Sequence, residues 1–144
     1  MFVSDLLHGK KYRTLTIAPT EPVTALATRL FDARVGCMIV SRDGTSLDGI
    51  VTERDIVRGL ANHAGRIDRL TVVDLMTKDV ITCSPNDDVS SVATTMTRRR
   101  IRHIPVLHDG KLIGVVSIGD VLKSRLDELE LQANVLRDYT IALR

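Results

Sequence analysis

The chain is short of the residues that would announce most chemistries. Two Phe and two Tyr offer few flat surfaces on which unpaired nucleic-acid bases could stack. Cys37 and Cys83 are the only cysteines. They stand too far apart for the paired spacing of a zinc site, and in a reducing compartment they read as buried free thiols. No sign of charge prevails: 20 basic against 18 acidic residues leave a formal charge of +2, too balanced to mark nucleic acid or a membrane surface as the main partner. The N-terminus, MFVSDLLHGKK, lacks the apolar core of a signal peptide, and no run of about 20 apolar residues follows that could span a bilayer. A soluble, cytoplasmic protein is expected. Also missing are a phosphate-cradling GxxxxGK loop, a dinucleotide fingerprint, a nucleophile elbow and any metal spacing among the histidines. Neither catalysis nor a metal centre is expected.

What is present is repetition. Pro19 and Val23 recur 66 positions later as Pro85 and Val89, and the match continues through PTEPVTALATRLFDARVGCMIVSRDG and PNDDVSSVATTMTRRRIRHIPVLHDG. After the Asp43-Gly44 and Asp109-Gly110 turns the offset falls to 65, so that LDGIVTERDIV aligns with LIGVVSIGDVL and Asp55 with Asp120. Halves of about 60 residues are marginal alone. With 44% apolar residues in 144, one module with a shared core is expected.

Each half reads as β-α-β-β-α after a short helical turn at Asp5-Leu6-Leu7 or Asp74-Leu75-Met76. The basic stretch Lys10-Lys11-Tyr12-Arg13, present in the first half alone, reads as a solvated loop. Leu15-Thr16-Ile17 and Val80-Ile81-Thr82 are β-branched and run toward a proline, which favours short strands. Val23, Leu26, Ala27, Leu30 and Phe31 share one helical face, as do Val89, Val92, Ala93 and Met96, and both faces are expected to pack inward. Two hairpins then turn at the Asp-Gly pairs, Cys37–Val40 with Leu47–Val51 and His103–Leu107 with Leu112–Val116. Thr52 and Ser117 open the last helices, each three residues before an aspartate. The second of these helices runs on, with Leu122, Leu126, Leu129, Ala133 and Leu136 alternating steps of four and three, a stripe that calls for a partner.

The junctions GIVTERD and GVVSIGD carry the most specific local signal. A hydroxyl and a carboxylate at a helix N-terminus can shape a small polar pocket beside an apolar strand, and a carboxylate can accept from both hydroxyls of a ribose. Simple helix capping is the alternative for a single occurrence, and matched recurrence shifts the reading toward a ligand. Arg98-Arg99-Arg100, with Arg102 behind, is the one dense basic run. Its ordinary reading is a solvated helix end, and a nucleic-acid module is the competing one. His103, alone in a strand, reads as a packing residue before a base-contacting one.

On GIVTERDI, GVVSIGDV, RHIPV and the proline after each first strand, the chain resembles a tandem CBS-domain protein, the pair known as a Bateman module, from about Asp5 to Leu126. The resemblance implies an α+β fold: two CBS repeats, 5–65 and 71–126, related by a pseudo-twofold axis and packed sheet to sheet, then a helical extension over 127–144. It also implies a non-catalytic sensor that binds an adenosine-containing ligand between the repeats: AMP, ADP or ATP, sometimes NAD(H), less often S-adenosylmethionine. Carried over, Asp120 and Ser117 hold ribose in one cleft, and Asp55 and Thr52 in the other. Adenine lies against Ile81, Thr82, His103, Ile104 and Pro105, or against Thr16, Ile17, Cys37, Met38 and Ile39. Arg54, Arg100 and Arg102 are candidate phosphate contacts. The clefts differ, because Ile39 replaces Pro105 and Glu53-Arg54 replaces Ile118-Gly119, and Pro105, lacking an N–H, favours the Asp120 cleft for adenine. A homodimer, through the CBS faces and the C-terminal helix, and a separate effector protein are the expected partners. The third reading is a purely structural dimerisation module.

Overall fold

The computed structural model describes residues 1–9 and 14–143; the expected loop at Lys10–Arg13 lies outside them. The elements in order are α1 (Val3–His8), β1 (Thr16–Ile17), α2 (Val23–Ala33), β2 (Cys37–Val40), β3 (Gly49–Thr52), α3 (Glu53–Asn62), a 3-10 turn at Ile67–Arg69, α4 (Val72–Leu75), α5 (Val89–Arg99), β4 (His103–His108), β5 (Lys111–Ser117) and α6 (Ile118–Ala142). The fold is α+β, two like halves with a long C-terminal helix. β1, β2 and β3 form one sheet and β4 and β5 another.

Strand alternation sets what each sheet buries. Met38 and Val40 point into a core with Ile17, Leu26, Leu30 and Val51, while Ile104 and Val106 join Val92, Met96 and Val116 in a second core. Ile39 and Pro105 point the opposite way and are buried too, so the other face of each sheet is covered, sheet against sheet. The duplication extends to backbone conformation. Arg34 and Arg100, 66 positions apart, end α2 and α5 in the left-handed region at φ 56° and 54°, a conformation that caps helices but is uncommon outside glycine and asparagine.

The first helical turns do not serve the halves in which they begin. Val3, Leu6 and Leu7 of α1 pack in the core of the second half, and Val72, Leu75 and Met76, in and just after α4, pack in the core of the first. Backbone bonds seal the exchange: Val3 N–H donates to the Asp87 carbonyl (2.9 Å), Val89 N–H to the Met1 carbonyl (3.0 Å), and Ile50 and Thr77 donate to each other's carbonyls at 3.0 and 2.9 Å. Two glycines make room at matched positions. A Cβ on Gly114 would lie 2.7 Å from Leu7 Cδ2, and one on Gly49 would lie 2.8 Å from both Met76 Sδ and the Thr77 carbonyl oxygen.

Three expectations need correction. Val80-Ile81-Thr82 is not a strand; the second half keeps only a parallel bridge between Cys83 and Val106. In the first half Ile39 N–H donates to the Leu15 carbonyl (3.3 Å) and Ser41 N–H to Ile17 (2.9 Å). Pro105 stands where Ile39 does and has no N–H to give Ile81, so the pairing is confined to Cys83, whose N–H donates to the Pro105 carbonyl (3.0 Å) and whose carbonyl accepts from Leu107 N–H (2.9 Å). Next, Phe31 is 83% exposed and Ala27 is exposed as well: the inward stripe of α2 is the narrower Val23, Leu26 and Leu30. Finally, Asp109-Gly110 makes the tight turn, with φ 50° and 76°, as a two-residue hairpin requires, but Asp43-Gly44 does not. There the chain makes a wider loop gathered around the Asp43 carboxylate, which accepts from the amides of Thr45 (2.9 Å) and Ser46 (2.7 Å). These backbone donors hold its carboxyl well below the usual carboxylate range.

The two close approaches differ in what must yield. Leu7 can rotate away from an added methyl, whereas the Thr77 carbonyl is pinned by Ile50 N–H. Gly49→Ala is expected to cost about 2 kcal/mol and Gly114→Ala under about 1 kcal/mol, read from urea denaturation midpoints; equal costs would show that the Thr77 carbonyl is not the constraint.

Candidate functional site

β2 pairs with β3, and β4 with β5, in registers that set Cys37 opposite Thr52 and His103 opposite Ser117. Each of these hydroxyl residues caps the helix that follows its strand. Thr52 N–H donates to Asp55 Oδ2 at 2.9 Å while Asp55 N–H donates to Thr52 Oγ1 at 3.3 Å; the Ser117–Asp120 pair repeats this at 2.8 and 3.1 Å. The first helical amide is taken in both cases by the carbonyl just before the partner strand, Glu53 N–H by Gly36 ahead of β2 (3.0 Å) and Ile118 N–H by Arg102 ahead of β4 (2.8 Å). The second amide, at Arg54 and at Gly119, is the one these bonds leave over.

The cap itself is structural, since Asp74 makes the same bond to Thr71 N–H (2.8 Å) at the start of α4. What separates the two aspartates is their surroundings. Asp55 is 6% exposed, its Oδ2 also accepting from Thr52 Oγ1 (3.2 Å) and its Oδ1 facing Arg58 at 3.4 Å. Asp120 is half-buried. Arg54 is exposed in the first turn of α3, whereas Gly119 leaves the α6 start open: a Cβ there would meet nothing nearer than Ser117 Oγ at 3.6 Å.

The strands thus bring His103, Ser117 and Asp120 together at one helix start and Cys37, Thr52 and Asp55 together at the other. Other candidate side chains are committed elsewhere. Ile17 and Met38 lie in the first core and Ile104 in the second, and Ile39 is buried as well, so these positions have chiefly backbone to offer a ligand. Ile81, Thr16, Cys37 and His103 are half-buried, and Thr82, Arg54, Arg100 and Arg102 are exposed. Cys83 adjoins the strand segment; burial, and then the charge of Asp87, push its thiol up to about 11. Arg98 and Arg99 fill the last turn of α5, where positive charge offsets the helix dipole.

Two hollows lie elsewhere. One of about 760 Å³ between α2 and α3 is lined by Leu30, Phe31, Val35, Glu53, Ile56 and Val57 among others, and one of about 550 Å³ by Ile81, Thr95, Arg98 and Arg99. Neither is lined by Asp55 or Asp120. Sequence reasoning missed the first, whose signal was Phe31 at the edge of an already complete apolar stripe. Among the described residues no three His, Cys, Asp or Glu side chains gather as a metal site, and no helix is long and apolar enough to cross a membrane.

The matched helix starts, one in each half, agree with what comparison finds: the CBS domain description matches residues 3–62 and again 72–127. The chain belongs to the CBS-domain family. A relative from Arabidopsis thaliana, the CBS domain-containing protein CBSX3, mitochondrial, is 40% identical over 110 residues, 73% of this chain and 53% of that one. The chain spans about half the length of the first curated relatives that it matches. Among solved structures, the CBS domain protein PAE2072 from Pyrobaculum aerophilum, complexed with AMP, superposes with a TM-score of 0.77 at 29% identity over 92% of this chain and 99% of that one. The CBS domain pair of protein MJ0100, in complex with 5′-methylthioadenosine and S-adenosyl-L-methionine, gives 0.75 at 26% identity over 90% and 98%.

In this CBS pair the more enclosed carboxylate holds more of the fold. Asp55→Ala is expected to lower stability by about 2 kcal/mol and Asp120→Ala by about 1 kcal/mol, the ordinary range for a lost cap. Thermal and urea unfolding check this; a reversed order would mean that Asp120 is the more structural of the two.

Proposed function

We propose that this CBS pair is a non-catalytic regulatory module that binds an adenosine-containing ligand, AMP, ADP or ATP before NAD(H) or S-adenosylmethionine, chiefly at the start of α6. The carrying observation is the contrast between the two helix starts: Asp55 is buried, with Arg54 as its neighbour, while Asp120 is half-buried next to Gly119, which has no side chain to cover the α6 start. The ligands named for PAE2072 and MJ0100, all adenosine compounds, support the ligand class.

On this reading Asp120 accepts from the two ribose hydroxyls and Ser117 assists at the sugar or phosphate. The base lies beside Ile81, Thr82, His103 and the backbone of Ile104 and Pro105, where Pro105 has freed the Ile81 carbonyl from its ladder partner to read an adenine edge. Arg100 and Arg102 are near in sequence to supply phosphate contacts, with Arg54 serving the first half. Asp55, Thr52, Thr16, Ile17, Cys37, Met38 and Ile39 form the lesser, more enclosed counterpart. The repeats span 5–65 and 71–126, with 127–144 as an extension. The module acts in the cytoplasm on a separate effector protein, and it pairs with a second copy through its CBS faces; the exposed Phe31 and Val57 beside the α2–α3 hollow support that pairing.

Isothermal titration with AMP, ATP, NADH and S-adenosylmethionine tests the reading. At least one is expected to bind below millimolar concentration. Asp120→Ala is expected to weaken it more than about ten-fold, the loss of charge-assisted bonds, with the fold retained, and Asp55→Ala is expected to change affinity far less. Unchanged affinity in the Asp120 variant would remove the site assignment, and no heat with any of the four would remove the ligand class.

A further inference from the structure

α6 begins on the body and leaves it. Its first two turns touch α1, α5 and β5, with Val121 and Ser124 half-buried and Ser124 Oγ 2.9 Å from Met1 Sδ. From Arg125 onward every residue described is exposed on all sides of the helix. Helices in proteins draw most of their stability from packing an apolar face, and the apolar residues of this one are not scattered. Leu122, Leu129, Leu136 and Leu143 fall at one position of a seven-residue repeat, and Leu126, Ala133 and Thr140 at the complementary one. That is the two-position seam of a coiled coil, and its leucines are 47–71% exposed.

We propose that α6 pairs with α6 of a second copy as a parallel, in-register coiled coil. This deepens the dimer reading and does not depend on the ligand. Flanking charge sets the direction, because residues beside the seam meet across it. In the parallel pair Arg125 of one copy faces Glu130 of the other, twice by symmetry, and Gln132 faces Arg137. In the antiparallel register that overlaps most of the helix, Glu130 meets Glu130 and Lys123 meets Arg137, like against like. Sliding that register by one heptad relieves the repulsion but drops Leu122 from the seam and sets Leu129 against Thr140. In the single chain Arg125 leans on Glu128 at 3.0 Å, an exposed pair of small worth that exchanges readily for Glu130 of the second copy. Leu131 and Val135 fall on the outer side, away from this seam.

Self-cross-linking of the full chain tests direction and seam together. Leu136→Cys places a thiol opposite its own copy only in the parallel arrangement, and the half-buried Cys37 and Cys83 serve as the wild-type control. Under mild oxidation the variant is expected to form covalent dimer at least ten-fold faster than wild type. Adding Leu129→Asp is expected to abolish this, whereas Leu131→Asp with Val135→Asp leaves it intact. Arg125→Glu is expected to slow the reaction about five-fold through two repelled contacts across the seam, and Arg125→Glu with Glu130→Arg to restore it. Absence of cross-linking in a protein that light scattering shows to be dimeric would overturn the helix pairing while leaving the face pairing standing. A monomer would overturn both. Loss of cross-linking on the outer-face substitutions rather than at Leu129 would overturn the seam.

Discussion

The close approach of a borrowed helical turn to a glycine, Leu7 over Gly114 and Met76 over Gly49, is the contact on which the rest of this structure depends. Each half lacks one wall of its own core and receives it from the other, so neither can close alone. Sheet-to-sheet packing and the placement of both helix starts follow from that exchange. So does the cooperativity expected of a chain whose halves are individually too small to bury a sufficient core.

Much of this was legible in the residues. The duplication gave the order of elements, and the spacing of Thr52 with Asp55 and of Ser117 with Asp120 located both helix caps. The exchange was not legible, because Asp5-Leu6-Leu7 and Asp74-Leu75-Met76 look alike and adjacency in sequence does not say which of two related cores a turn will enter. Gly49 and Gly114 held the clue, as matched residues without a side chain in otherwise apolar strands. Phe31 misled for a different reason: helical periodicity tells which residues share a face but not how wide a face the core can cover, and Leu30 already completes it.

A single residue, Pro105, accounts for much of the difference between the halves. Removing one N–H turns a strand into a lone bridge at Cys83 and leaves a carbonyl at Ile81 without the donor that its counterpart, Leu15, receives from Ile39. Gly119 in place of Arg54 opens the adjoining helix start in that same half. Two duplicated helix starts have thus diverged, one with a buried carboxylate at Asp55 and one with a half-buried carboxylate at Asp120 beside a residue without a side chain.

The Ser117–Asp120 helix start sits at the root of the 25-residue helix α6, whereas the Thr52–Asp55 start opens α3, which stops after 10 residues. A rod of that length reaches about 37 Å at 1.5 Å per residue, so a reorientation of about 5° in its capped first turn would swing the far tip by about 3 Å. Mechanical leverage is therefore built into one half alone: whatever settles against Ser117 and Asp120 holds the short arm, and whatever grips Leu136 and Tyr139 feels the long one.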